Sequence, residues 1–153
     1  MRAFNVQQGT RFMSCRITNP YGPGQDYRKG VGFIDAVVKS VMNRQRLEIW
    51  GDGSVVRDYI YIEDVCRMME ALLHYEGEYQ TFNISTGVGV SQNEIIRIFE
   101  DLGFKVKANY QEARTVDAQY NIANNAKAIK ATGVTCRSVR EGIAEYLKYL
   151  GRL

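Results

Sequence analysis

Metal chemistry has little to work with in this chain. Among 153 residues there is a single histidine, His74, and three widely spaced cysteines, Cys15, Cys66 and Cys136. No zinc-type spacing can be assembled from these residues, so no metal is expected. An odd number of separated cysteines also argues against a disulfide framework and for a reducing compartment. No apolar run approaches the length of a membrane span, and the N-terminus lacks a signal-peptide pattern, so a cytoplasmic protein without membrane attachment is expected. There are two prolines and no low-complexity tract. A net charge of +3 with a pI near 8.8 suits anionic small molecules. The charge is too weak and too scattered for nucleic acid to be a partner.

What is present is an ordinary globular composition, 45% hydrophobic and 24% charged, in the size range of one domain covering residues 1–153. Its most informative stretch runs from Leu47 to Asp64, LEIWGDGSVVRDYIYIED. A glycine turn separates two apolar runs and leaves Arg57 between them. A guanidinium is always charged, and its planar fork holds two phosphate oxygens at once, so an arginine fixed by strand-forming neighbours suits a diphosphate. The other reading is a surface hairpin with a solvated arginine.

The remainder reads as alternating strands and helices. Residues 1–9 look like the end of a helix closed by Gly9. Arg11 to Ile17 is a short strand apolar enough for burial on both faces, and the Asn19-Pro-Tyr-Gly-Pro-Gly run breaks it with turn chemistry. After a polar loop tipped by Arg28 and Lys29, the three- and four-residue spacing of Phe33, Ile34, Val37, Val38, Val41 and Met42 predicts a helix with one buried side. Alternation of Tyr59 and Tyr61 with Ile60 and Ile62 predicts a half-buried strand. A helix opened by Glu63 and Asp64 follows, burying Val65, Met68, Met69, Leu72 and Leu73 and closed by His74. Gln80 to Ser85 is a second short strand, followed by a flexible Thr86–Gly89 connection. Ser91 with Glu94 and Ser138 with Glu141 are capping boxes, each starting an amphipathic helix. Between those helices, Phe104 to Tyr110 predicts a strand, and Asn124 caps a short helix ended by Gly133.

Three ordered motifs resemble the extended short-chain dehydrogenases of the NAD-dependent epimerase/dehydratase family, UDP-glucose 4-epimerases above all. They are RITNPYGPGQ at 16–25, GDG with VRDYIYIED at 51–64, and RTVD at 114–117. The likeness covers nearly the whole chain but only the family's C-terminal half. It implies an α/β fold: a partial Rossmann-type sheet remnant consisting of the last strands, plus the small mixed α/β subdomain that binds substrate. It also implies that Arg57 and Arg114 hold the diphosphate of a UDP-hexose, that Asp117 accepts from the ribose hydroxyls, and that Asn19 reaches the sugar-phosphate end. The segment Leu47–Trp50, with Glu48 and Trp50, would lie beside the uracil ring, where backbone groups of the strand read the base edge. Plainer roles compete at several of these positions. Asn19 could satisfy its own turn, Trp50 could belong to the core, and Arg114 with Asp117 could form a surface ion pair. Phe33 packs either beside a base or simply in the core.

The family's redox machinery is missing. None of the fourteen glycines forms a G-x-G-x-x-G or G-x-x-G-x-x-G phosphate loop, and no tyrosine is followed four residues later by lysine. NAD is therefore implied for the family but not for this chain alone, which is expected to bind the nucleotide sugar without epimerising it. No residue of this chain is assigned a catalytic role. A catalytically silent remnant or interaction module is the alternative. The likeness further implies that the strands at 11–17 and 80–85 are the last two of a seven-strand parallel sheet, which leaves an apolar parallel edge uncovered. The expected partner is a second copy of the chain or a separate dinucleotide-binding chain. Gel filtration at micromolar concentration should therefore return a dimer or larger assembly, and a stable monomer would count against it.

Overall fold

The computed structural model describes residues 12–113 and 118–153. The expected helix end at 1–9, and Arg114 and Asp117, lie outside the described residues. The elements in chain order are β1 (Ser14–Ile17), β2 (Asn19–Tyr21), a 3₁₀ turn (Tyr27–Lys29), α1 (Phe33–Asn43), β3 (Leu47–Trp50), β4 (Val56–Tyr61), α2 (Ile62–Leu73) and β5 (Thr81–Ile84). They continue with β6 (Gly89–Ser91), α3 (Gln92–Asp101), β7 (Ala108–Gln111), β8 (Tyr120–Asn121), α4 (Ala126–Thr132) and α5 (Val139–Tyr149). The architecture is mixed α/β.

Strand β4 is the spine. It pairs in parallel with β2 and β8 and antiparallel with β6. Successive side chains of a strand point to opposite faces, and here each face meets its own apolar core. Tyr59 and Tyr61 enter a core with Ile34, Val37 and Val38 of α1, Ile95 and Phe99 of α3, and Ile143 and Leu147 of α5. Ile60, on the other face, enters a second core with Val65, Met68 and Leu72 of α2, and Phe82 and Ile84 of β5. Residues 58–61 are consequently all buried. The half-buried strand expected from their alternation is instead covered on both sides, because tyrosine is amphipathic and its presence does not reveal whether its side faces water.

Strand β1 departs from expectation in the opposite sense. Among the described residues it pairs only with β5, residue for residue from Ser14 with Thr81 to Ile17 with Ile84, and Arg16 and Ile17 are exposed. With one neighbour, it is not buried on both faces. In α2 the buried apolar residues are Val65, Met68 and Leu72, beside the buried Asp64, whereas Met69 and Leu73 face outward. The helix touches its neighbours along a narrower stripe than its apolar content suggests. The Asn19-Pro-Tyr run is itself a strand, and turn geometry begins only at Gly22, where φ is 127° and a Cβ would press into the Tyr61 ring. Both capping boxes are present, with Ser91 accepting from the Glu94 amide and Ser138 from that of Glu141.

The Thr86–Gly89 connection is tied down rather than flexible, and the reason is Asp58. This carboxylate on β4 is fully buried. Its Oδ1 accepts from the Thr86 amide (3.0 Å) and hydroxyl (2.8 Å) and from the Thr18 hydroxyl (3.4 Å). Its Oδ2 accepts from the amides of Gly87 (3.1 Å) and Ala123 (3.3 Å). One side chain thereby fastens the β1–β2 junction, the β5–β6 turn and the segment entering α4. Hydrogen bonds to a charged group are worth ~1.5–3 kcal/mol and an orphaned buried donor costs ~1–3 kcal/mol. Asp58→Asn, which turns an NH₂ toward donors, should destabilise the fold by about 2–4 kcal/mol in urea titration. An unchanged midpoint would remove Asp58 from this role.

Candidate functional site

Beside β4 lies a cavity of about 480 Å³. Its walls come from β2 (Asn19, Pro20, Tyr21), the entry to α1 (Gly30 through Ala36), the outward positions of β3, and Val55, Arg57, Tyr59 and Gln92. Five sequence-predicted residues, Asn19, Phe33, Glu48, Trp50 and Arg57, therefore line one hollow although they span 39 positions of the chain. Arg114 and Asp117 lie outside the described residues. The flanking Ala113 and Ala118 both reach this side of the molecule, Ala113 against Gly51 and Ala118 through its carbonyl to Arg57.

The local reasons differ from residue to residue. In β3, Leu47 and Ile49 are buried in the core, so alternation turns Glu48 and Trp50 outward. Trp50 is 44% exposed and is not a core residue. Glu48 Oε2 accepts from Asn109 Nδ2 (2.8 Å) and Gln111 Nε2 (2.6 Å) on the paired strand β7, which fixes the carboxylate at the rim. Arg57 does not sit in a hairpin, because β3 pairs with β7 while β4 pairs elsewhere. Its Nη1 donates to the carbonyls of Val56 (2.9 Å) and Ala118 (2.7 Å), which holds the guanidinium in place through one nitrogen. Asn19 does not satisfy its own turn: its Nδ2 donates across to the Asp58 carbonyl at 2.8 Å. Phe33 is half-buried at the first position of α1, packed against the first core and facing the cavity.

The start of α1 adds to the electrostatics. Its N-cap is Gly32, without a side-chain cap, so amide groups of the first turn are not taken up by a capping side chain. Those amides can donate to a ligand, while Asp35 in the same turn already sets a carboxyl against the positive end of the dipole.

Polar residues that sequence reasoning did not single out also line the hollow. Four buried side-chain atoms among the described residues have no hydrogen-bond partner: Asp35 Oδ2, Tyr59 Oη, Gln92 Oε1 and Arg137 Nη1. Three of these belong to cavity residues. That concentration is notable because buried polar groups are nearly always paired unless a ligand or water completes them. Tyr59 follows Arg57 by two positions in a strand and shares its face, the one sequence signal that could have found it. Burial pushes the Tyr59 phenol up to about 12, with Arg57 opposing the shift, so it stays protonated at neutral pH. Asp35 accepts from the Tyr146 hydroxyl at 3.1 Å, and burial raises its carboxyl above the usual range. No periodicity marks Asp35 or Gln92, whose significance appears only on folding. A larger hollow of about 750 Å³ between α3, α4 and α5 is lined mainly by apolar groups and holds none of the predicted residues.

Comparison with known proteins agrees with the motifs. The model of the NAD dependent epimerase/dehydratase family matches residues 1–85. A protein described as a putative UDP-glucose 4-epimerase of Methanocaldococcus jannaschii is 28% identical over 152 residues, which is 98% of this chain and 49% of that protein. Among solved structures, the UDP-glucose 4-epimerase of Thermotoga maritima with UDP-glucose superposes with a TM-score of 0.88 at 28% identity, covering 99% of this chain and 48% of that one. MoeE5 in complex with UDP-glucuronic acid and NAD gives 0.81 at 29% identity, covering 93% and 48%. The chain thus spans about half the length of the curated relative it matches. These likenesses identify the fold as the mixed α/β, Rossmann-like architecture of the epimerases.

The described residues lack the glycine-rich loop on which a dinucleotide pyrophosphate would rest. The β2–α1 junction holds four glycines, Gly22, Gly24, Gly30 and Gly32, but neither it nor any other described strand-to-helix junction forms the G-x-G-x-x-G phosphate loop.

The raised Asp35 carboxyl makes a pH-dependent prediction. A carboxyl whose folded-state pKa exceeds its unfolded value stabilises the fold most when protonated, and that contribution is lost as pH rises through the raised value. Above that value the cost of its buried charge is present in full. Asp35→Asn cannot ionise and still offers Tyr146 an acceptor. It should melt above the parent at pH 7, with the gap closing as pH falls toward about 4. A gap independent of pH would show that ionisation of Asp35 is not the cause.

Proposed function

We propose that this chain, which belongs to the NAD-dependent epimerase/dehydratase family, uses the cavity beside β4 to hold a nucleotide sugar by its diphosphate. The carrying observation is the convergence of Asn19, Phe33, Glu48, Trp50 and Arg57, from four separate segments, on one hollow. Arg57 supplies fixed positive charge from β4, and the uncapped start of α1 adds backbone amides able to donate. Arg114 completes the clamp and Asp117 accepts from the ribose. Asn19, anchored through Nδ2, turns its carboxamide to the sugar-phosphate end. Phe33 and Trp50 offer apolar faces to the base, with Glu48 held at the edge.

The substrate class we assign is a UDP-hexose, and the reaction of the complete enzyme is 4-epimerisation. The sugar-bearing relative from Thermotoga maritima supports this choice. In such a reaction NAD supplies transient oxidation of the sugar. This chain's residues bind and orient the substrate and exclude water from its diphosphate. The Gly-rich loop and the Tyr/Lys pair must come from residues outside this sequence, either in a partner chain or in the remainder of a longer protein. The solvent-facing edge of β1 is where a further strand of the parallel sheet would add.

A melting-temperature titration tests the assignment. By mass action, UDP at a hundred times its Kd adds about 2.7 kcal/mol of stability, and Arg57→Ala should weaken UDP binding by about 1.5–3 kcal/mol while leaving the fold nearly unchanged. No shift at millimolar UDP would favour a silent module that keeps the fold, and equal affinity in variant and parent would take Arg57 out of the site.

A further inference from the structure

The larger hollow, about 750 Å³ between α3, α4 and α5, shares no lining residue with the cavity that holds Arg57. Its floor is apolar and drawn from both cores. Val90, Ile98 and Val139 belong to the first core, and Cys136 packs against the second. Val88 (59% exposed) and Ile129 (37% exposed) complete the walls while facing solvent. A lone apolar side chain at the surface means little, but several grouped around one concavity offer to take an apolar body out of water. The volume falls in the ~300–1,000 Å³ range of small-molecule sites. Val88 rides on the connection that Asp58 holds through Thr86 and Gly87, so this wall is formed before any ligand arrives.

The charges at the mouth define what else the ligand must carry. Three guanidiniums, of Arg97, Arg137 and Arg140, line the hollow together with one carboxylate, Glu94. Arg137 is engaged by Glu63 at 2.8 Å and Asp64 at 3.5 Å, and Arg140 by Asp101 at 3.0 Å. Glu94 is taken up by the capping box, accepting from the Ser91 amide (2.8 Å) and hydroxyl (2.6 Å). Those bonds first, and the charge of Arg97 to a lesser degree, hold its carboxyl below the usual range. Arg97, one turn further along α3, is exposed and makes no hydrogen bond or ion pair among the described residues. A cationic ligand is repelled by three guanidiniums, and a neutral one leaves Arg97 unmatched. A doubly charged head would set its second charge near Glu94 with no free cation to meet it. A carboxylate carries one charge on two oxygens, the pattern that a guanidinium fork holds bidentately.

We propose that this hollow is a second ligand site, which takes an amphipathic monocarboxylate with its hydrocarbon body on Val88, Val90, Ile98, Ile129 and Val139 and its head on Arg97. It holds or fails independently of the nucleotide-sugar reading, because the two cavities have no residue in common. Calorimetric titration of the full chain with octanoate, 1-octanol and acetate tests it, together with the variants Arg97→Gln and Val88→Asp. Octanoate should bind several-fold more tightly than 1-octanol, which lacks the charge, and than acetate, which lacks the chain. Arg97→Gln should lower octanoate affinity roughly three- to tenfold, the worth of a charge-assisted pair at a solvent-facing rim, and leave 1-octanol unaltered. Val88→Asp sets a like charge in the mouth and should weaken octanoate more than 1-octanol. Unchanged melting temperatures verify that both variants are folded. In nitrogen-15 spectra of the parent, octanoate should shift the amides around Val88, Ile98 and Ile129 and leave those around Trp50 and Arg57 in place. No binding at millimolar octanoate, equal affinity for octanoate and 1-octanol, undiminished octanoate binding by Arg97→Gln, or shifts gathered at Arg57 would each overturn the assignment.

Discussion

A buried carboxylate on the central strand is the constraint from which the arrangement follows. Asp58 has no cation beside it in its hydrogen-bond set. It is satisfied by two threonine hydroxyls and three backbone amides. Since a buried charge without partners is very costly, each donor segment is drawn to a single position around it. The β5–β6 turn, the β1–β2 junction and the approach to α4 are thus referred to one point on β4. The neighbouring residues of that strand, Arg57 and Tyr59, project to the other face, where the cavity lies. The fastening and the candidate site are two sides of the same strand.

The cavity itself is arranged at some cost to the fold. Asp35, Tyr59 and Gln92 bury polar atoms without partners there, while the apolar cores on either side of β4 are filled by Phe82, Phe99, Ile143 and Leu147. Such groups are tolerated where something else meets them, and a ligand rich in both donors and acceptors does so. Arg57 is held by two carbonyls through one nitrogen, which orders a long side chain before any ligand arrives and lowers the entropy that binding must overcome.

Local pattern was a good guide wherever a residue's role is set by near neighbours. The capping boxes at Ser91 and Ser138, the stripe of α1 and the stops at Gly103 and Gly133 are all present because helix starts and ends depend on three or four adjacent residues. Reading failed where the surroundings decide. Met69 and Leu73 are as apolar as Leu72 yet face outward, and the glycine-bearing connection at 86–89 is pinned by a carboxylate about thirty residues earlier. β6 and β8 went unseen because strands of three and two residues exist only through pairing with β4. Trp50, whose apolar bulk fits a core equally well, is turned outward by the alternation of β3.

The residue order alone determined the family, the missing dinucleotide loop, the helix boundaries set by caps, and the short list of side chains able to meet a nucleotide sugar, because each of these resides in contiguous motifs. Which of those side chains share a cavity was decided only when β2, β3 and β4 came to lie beside the start of α1. So were the burial of Asp58 and the unpartnered oxygens of Asp35 and Gln92. Burial and hydrogen-bond satisfaction are properties of what surrounds an atom, and residues dozens of positions apart become its surroundings only through the packing of the whole chain.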